Sequence, residues 1–279
     1  MLRLAVSACL LGQEVRWNAA HKRHRFLVDV VAKHAQLHPF CPEDAGMGTP
    51  RPRVHLADGL LIDEHGEDRT AEVAPHGPNQ DVHGVILKRG SPTCGLNVNH
   101  VRDGKPSRSP GLIAANVLDW DVPVSDEGRL GEPMWREHFF DQAFCWLRWE
   151  ERGRLTDFHA ANKFTLLAHS PEGTRRLGQV AAEGDEEAYR ALLPEVLKTQ
   201  ATRGRHTNVL QHVQGYVSSA LEADDREELE QVVQAYRVGQ VPLLVPLTLL
   251  KHHARKHAPE WLLQQTYLEP YPAEWMLRA

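Results

Sequence analysis

The chain has 279 residues, 42% apolar and 25% charged, with a formal net charge of −5. That length buries the core of one large domain or two ordinary ones, and the composition excludes disordered, collagen-like and membrane classes. The opening MLRLAVSACLLG is apolar only briefly before QEVRWNAAHKRHR, so it lacks the features of a signal peptide, and no run approaches the ~20 apolar residues of a membrane span. A cytoplasmic protein with no membrane partner is expected. Its thiols stay reduced, and its four cysteines serve packing, catalysis or metal ligation rather than disulfides.

In chain order, LRLAVSA (2–8) reads as a buried strand. HRFLVDVVAKHAQL follows, with Phe26, Leu27, Val30, Val31 and His34 on one face of an amphipathic helix. HPF before Cys41, GVILK (84–88) and DVPV (121–124) read as further strands among Gly- and Pro-rich turns. Strand, helix, strand at this spacing predicts an α/β domain with a largely parallel, Rossmann-like sheet over 1–148. From Arg148 onward the pattern is helical. DFHAANKFTLLAHS, EEAYRALLPEVLKTQ, HTNVLQHVQGYVSSALE and DREELEQVVQAYRVG carry apolar residues three and four apart, and another helix starts at Leu247. Residues 149–279 are read as an all-α domain, with the boundary within 146–156.

Three cysteines stand just past predicted strands. Cys9 ends LRLAVSAC, Cys41 ends HPFC and Cys94 follows GVILK by a short turn, with 31 and 52 residues between them. In open α/β sheets the carboxyl ends of the strands face one crevice, so the three would meet there. Three thiolates suit zinc, Cu(I) or an iron–sulfur cluster, although a structural zinc site normally takes four ligands, often as close pairs. Glu43 lies two residues after Cys41; in an extended chain it points to the same side, toward whatever Cys41 binds. In SPTC, Pro92 suits either the second position of a turn or the first position of a helix capped by Ser91, and both keep the Ser91 hydroxyl near Cys94. The plain alternative for any single cysteine is burial, and Cys145, among the aromatics of FFDQAFCWLRWE, is assigned to it.

SACLLGQEVRWNAAHKR, CPEDAGMGTPRP and GVILKRGSPTCG resemble the signature blocks of the thiouracil desulfidases, over essentially all of 1–145. FHAANKFTLLAHSP, RGRHTNVLQHVQGY and YRVGQVPLLVPLTLLKHH resemble the helical domain fused to such desulfidases in proteins implicated in removing sulfur from 4-thiouridine of tRNA. The resemblance implies a 4Fe-4S cluster bound by Cys9, Cys41 and Cys94, with one iron open to substrate sulfur. It also implies Glu43 and Ser91 as the functional glutamate and serine. Relatives usually carry an acidic-glycine turn where this chain has WNAAHKR. The implied activity releases sulfide from 4-thiouridine in tRNA. The alternatives are a desulfidase of free thiouracil or its nucleotide, and a non-catalytic iron–sulfur or zinc sensor that binds nucleic acid.

Charge alone gives little support to RNA binding, because from residue 151 onward 15 Lys/Arg face 17 Asp/Glu. Positive residues do cluster in HKRHR (21–25), TRGRH (202–206) and KHHARKH (251–257), while acids gather in EGDEE and EADDREELE. Arg203, Arg205, Lys251, Arg255 and Lys256 are the candidate phosphate contacts, with solvated helix faces as the plain alternative. His206 and His212, six residues apart, fall on different sides of a helix and are not expected to share a metal. His169 and Ser170, before Pro171, read as capping groups.

Overall fold

Leu2–Ser7 (β1) is apolar except for Arg3 and Ser7 and is buried along nearly its whole length, as a strand covered on both faces must be. The computed structural model describes residues 1–275 and 277–278. After β1 the first part of the chain contains β2 (Ala35–Phe40), α1 (Pro42–Met47), β3 (Val54–Ala57), β4 (Leu60–Asp63) and α2 (Thr70–Val73). It continues with β5 (Gly84–Leu87), β6 (Val98–Arg102), β7 (Lys105–Ser109), α3 (Leu112–Val117) and β8 (Val124–Asp126). The chain falls into two compact units, Met1–Phe139 and Phe140–Ala279, and the division lies within the helix α4 (Pro133–Glu150).

The first sheet is all parallel, in the order β2-β1-β5-β8. Ala5, Val85 and Leu87 of this sheet pack with Cys94, Ile113, Ala114 and Val117 into one core cluster. The α/β parallel sheet expected from the sequence is therefore present, and its strands cover or adjoin the four predicted apolar runs. The order also matters for function. The chain passes from β1 to β2 on one side and returns to β5 on the other, which makes the gap between the ends of β1 and β5 a topological switch point, where open α/β sheets bind ligands.

Two expectations are corrected. The helix expected over HRFLVDVVAKHAQL is a π-helical turn, Phe26–Val30, running into a 3-10 turn, Val31–Lys33, and Ala35 already belongs to β2. Leu27 and Val31 are still buried, but the β-branched residues crowd a regular helix, and parallel pairing with β1 claims the chain from Ala35. A second sheet, β4-β3-β6-β7, was not anticipated at all. It is built of two hairpins, joined where β3 and β6 run parallel with Ala57 opposite Val101. Each hairpin turns on an Asp-Gly pair with positive φ at both residues, Asp58-Gly59 and Asp103-Gly104, as tight two-residue hairpin turns require.

The second unit is helical, as the apolar spacing predicts. It comprises the end of α4, α5 (Leu155–His169), α6 (Pro171–Glu183), α7 (Glu186–Leu197), α8 (Arg203–Val217), α9 (Ala223–Arg237), α10 (Leu244–His257) and α11 (Glu260–Leu263). Helix α6 was not among the expected helices. Ser170 caps it, its hydroxyl accepting from Gly173 N at 3.0 Å, with Pro171 at the first helical position. The core gathers Val209, Leu210, Val213, Leu229, Leu250 and Leu262. Cys145 is fully buried, and burial pushes its thiol up to about 11.

Polar groups are buried in this unit too. Arg148 Nε donates to Asn162 Oδ1 at 2.8 Å and Nη1 to Pro270 O at 3.1 Å. His169 is buried at the end of α5, its Nδ1 2.8 Å from Thr199 O, so it packs rather than caps. His206 is buried with Nδ1 2.8 Å from the Tyr267 hydroxyl, whereas His212 is exposed. Burial first, then Arg278 and His169, push His206 from 6.5 down to about 3. The unfolded chain therefore binds a proton below about pH 6.5 that the folded chain refuses until about pH 3. Stability is complete above that window and falls as pH drops through it, by at most about 1.4 kcal/mol per pH unit for this group. Urea unfolding at about pH 7 and about pH 4.5 should show a smaller acid loss for His206→Gln than for the parent; equal losses would mean that His206 contributes none of it.

Candidate functional site

The chain leaves β1, β2 and β5 by three different local devices, each of which presents a cysteine. After β1, Ala8–Leu11 forms a 3-10 turn carrying Cys9, whose carbonyl accepts from Lys22 N at 2.8 Å. After β2, Cys41 stays extended (φ −143°, ψ 99°) and caps α1, with Pro42 at its first position. Glu43 therefore sits in the first turn of a helix, not in the extended chain that the sequence suggested. After β5, the Ser91 hydroxyl accepts from the N–H groups of Thr93 (3.2 Å) and Cys94 (3.1 Å), and Gly95 N donates to Ser91 O at 2.8 Å. Of the two arrangements open for SPTC the chain takes the turn and not the helix, with the Ser91 hydroxyl accepting from the backbone inside it. A Cβ at position 95 would lie 2.7 Å from Ser91 O and from a Val98 methyl, so the turn closes only around glycine.

Cys9, Cys41, Cys94, Glu43 and Ser91 all line one cavity of about 310 Å³, at the small end of the usual range for ligand pockets. The five residues singled out in the sequence are thus brought together. Among the described residues no three His, Cys, Asp or Glu side chains are grouped as ligands of a single metal ion. All four cysteines are free thiols.

Burial dominates the chemistry of the three thiols. It pushes Cys9 up to about 11, with the nearby Cys41 adding to the rise. Cys41 is raised by burial and eased by the Asp44 N–H aimed at its sulfur. Cys94 is raised by burial, then by Glu43, and eased by a hydrogen bond from the Ser7 side chain. The thiolates oppose one another's ionisation, while two donors already point at sulfur. A cationic group among them would convert all three to thiolates.

Glu43 is held at both oxygens. Ser91 Oγ stands 3.1 Å from Oε1, and Arg51 Nη2 donates to Oε2 at 2.8 Å. Both acceptor positions of the Ser91 hydroxyl are taken by backbone N–H groups, so its proton is directed to Glu43. Arg51 has only 2% of its side chain exposed, and its Nη1 also donates to Gly48 O (3.1 Å) and Thr49 Oγ1 (2.9 Å). The sequence reading missed Arg51. Its only signal was an isolated arginine between prolines in TPRP, which gives no hint that the chain doubles back from α1 to meet Glu43.

The cavity wall is otherwise basic. Arg16, Arg53 and Arg89 line it, and among the described residues none of the three guanidinium groups is paired with a carboxylate, while Arg89 N donates to Glu127 Oε2 at 2.6 Å. Arg53 lies over the Trp17 ring, 3.8 Å from its centroid, and Lys88 is paired with Glu127. The candidate phosphate contacts in the second unit are differently placed. Lys251 and Arg255 approach Glu269 (2.5 and 3.6 Å), and Arg205 donates to Gln200 O at 3.1 Å. Arg203 and Lys256 are exposed.

Comparison with known proteins places these features. Residues 4–127 match the 2-thiouracil desulfurase family, and residues 163–272 match a family described as a protein of unknown function, DUF1722. The Escherichia coli (strain K12) protein YbgA is 36% identical over 129 residues, 43% of this chain and 76% of that protein. The Bacillus subtilis (strain 168) protein YbbK is 30% identical over 152 residues, 46% of this chain and 98% of that protein. This chain belongs to the 2-thiouracil desulfurase family. Among solved structures it is similar to the 4Fe-4S-dependent thiouracil desulfidase TudS, at 29% identity and a TM-score of 0.40, over 47% of this chain and 95% of that one.

The ion pair can be tested on its own. Removing one partner of a buried pair leaves an uncompensated charge, so Arg51→Met should destabilise the chain by about 3 kcal/mol in urea unfolding. Glu43→Gln, which keeps an acceptor for Arg51, should cost less, and the double variant should recover part of the loss. Additive effects would show that the two side chains are not coupled.

Proposed function

We propose that the protein is a 4Fe-4S-dependent desulfidase that hydrolyses the carbon–sulfur bond of 4-thiouridine in tRNA, giving uridine and sulfide. The observation that carries this reading is the convergence of three thiols, a clamped carboxylate and an oriented hydroxyl on one cavity at the switch point of the parallel sheet. The donor set suits the cluster: Cys9, Cys41 and Cys94 would hold it, and the hydrogen bonds that Ser7 and Asp44 direct at sulfur are of the kind that tune such clusters. When bound, it supplies a soft Lewis-acidic iron for a thiocarbonyl sulfur.

The remaining chemistry belongs to the chain's own residues. Replacing sulfur by oxygen consumes one water and releases hydrogen sulfide, with no net redox change. Glu43 accepts a proton from the attacking water and returns it as the C–S bond breaks. Arg51 fixes the carboxylate in place. The Ser91 hydroxyl donates to the water or to the nucleobase. The unpaired Arg16, Arg53 and Arg89 favour a substrate that carries phosphate, which a nucleotide of tRNA has and a free base lacks. A thiolated base within a folded RNA must leave its stack to enter the cavity. Arg203, Arg205, Lys251, Arg255 and Lys256 are proposed as further phosphate contacts. The second reading, a desulfidase of free thiouracil, is favoured by the description of the family itself.

Anaerobically purified protein should be brown and contain iron and sulfide, and serine at position 9, 41 or 94 should abolish the colour. Glu43→Gln should keep the colour while turnover falls by about 10²- to 10⁴-fold; undiminished turnover would remove Glu43 from the mechanism. Loss of near-ultraviolet thiouridine absorbance with thiolated tRNA but not with 4-thiouracil decides for RNA, and the reverse decides for the free base. A colourless zinc protein would sink the cluster assignment.

A further inference from the structure

We infer that Trp17, braced by Arg53, is the platform on which the flat ring of the substrate base stacks, so that the site selects a heteroaromatic thiocarbonyl over a non-planar one. The inference rests on the desulfidase reading above and holds whether the base arrives free or within RNA.

Trp17 is held where such a platform is needed. It lines the cavity together with the three thiols, Glu43 and Ser91, on the loop that follows the 3-10 turn of Cys9. Two contacts fix that loop against the site. The Cys41 thiol points at Val15 O across 3.6 Å, and the backbone N–H of Arg51 donates to Trp17 O at 3.1 Å. Beyond these anchors the chain turns back on itself, with Ala19 N donating to Arg16 O at 2.8 Å and Arg16 N to Ala20 O at 3.2 Å. Ala19 adopts φ 52°, in the left-handed region that an alanine enters only when its surroundings impose it, and residues held in this way gather at binding sites. The loop thus touches a candidate ligand cysteine at Val15 and, at Trp17, the arginine that clamps Glu43.

One short segment sets both the carboxylate and the ring. Arg51 and Arg53 flank Pro52, and the residue before a proline is held extended, so side chains two positions apart project to one side. Both arginines line the cavity. Arg51 reaches Glu43, while the Arg53 guanidinium lies over the Trp17 ring, 3.8 Å from its centroid. Among the described residues no other ring or cation lies against Trp17, and the Arg53 guanidinium has no hydrogen-bond partner. Trp17 is half-buried, so the wall of the cavity keeps indole surface that a flat ligand can cover. An indole and a guanidinium laid one over the other make the kind of surface on which nucleobases stack by their faces. Stacking fixes the plane of the base and leaves its edge, which carries the sulfur and the ring nitrogens, to the thiols, Glu43 and Ser91.

The test compares the parent holoenzyme with Trp17→Leu and Trp17→Phe on whichever of thiolated tRNA and 4-thiouracil the parent desulfurates. Stacking acts alike in the ground and transition states, so Trp17→Leu should raise KM by about tenfold while kcat and the brown colour are held, and Trp17→Phe should restore KM. A planarity probe isolates the ring face. Uracil should inhibit the parent about tenfold more strongly than 5,6-dihydrouracil, which keeps the same carbonyl and N–H groups on a puckered ring, and Trp17→Leu should abolish the difference. An active parent on which the two bases act alike, or a Trp17→Leu protein of unchanged KM, would overturn the platform and leave the desulfidase reading intact. If Trp17→Leu loses its colour, the parent's response to the two bases decides alone. A parent that desulfurates neither substrate would overturn the desulfidase reading, and the platform with it.

Discussion

Parallel pairing of β1 with both β2 and β5 is the constraint on which the site depends. Because all three strands run in one direction, their carboxyl ends lie side by side, and the chain emerges from each at the same edge of the sheet. Residues separated by dozens of positions become neighbours without any local sequence relationship. An antiparallel sheet of the same strands would have sent one of the cysteines to the opposite edge. Burial of β1 on both faces makes this arrangement rigid, since a one-residue slip would displace Leu4, Ala5 and Val6 from their neighbours at once.

Around that edge, the polar groups are organised by backbone rather than by surface charge. Cys41 and Glu43 come from the cap and first turn of α1, Ser91 and Cys94 from one capped turn, and Cys9 from a 3-10 turn closed by Gly12. Such short elements derive their stability from the sheet they end on, not from their own length. Arg51 contributes differently, as a buried cation whose desolvation is offset by three acceptors. The carboxylate it holds is consequently ordered before any ligand arrives.

The features legible in the sequence were those written in short apolar runs and fixed spacings. The four strands of the first sheet, the meeting of Cys9, Cys41 and Cys94, and the helical character of the second unit follow from them. Glu43 was placed correctly for a reason that does not hold, since it stands on a helix rather than in an extended chain. The second sheet was missed because β3, β4, β6 and β7 are short and only weakly alternating, although ADGL and RDGK each carried an Asp-Gly hairpin signal. Arg51 was missed because nothing local links it to Glu43; the chain must first fold back through Gly48 and Thr49. In the second unit, the basic residues of KHHARKH read as one class in sequence differ in their partners, with Lys251 and Arg255 near Glu269 and Lys256 exposed.

The capped turn at Ser91 has a directional consequence. Two backbone N–H groups fill the lone pairs of the hydroxyl, so toward the cavity it is a donor only. Any molecule that takes the place of Glu43 as its partner must offer a lone pair, and a ring N–H presented at that point finds nothing to accept it. The backbone N–H groups of Thr93 and Cys94 thus set which kind of atom can meet this hydroxyl, a polarity that a threonine could keep and an alanine would erase.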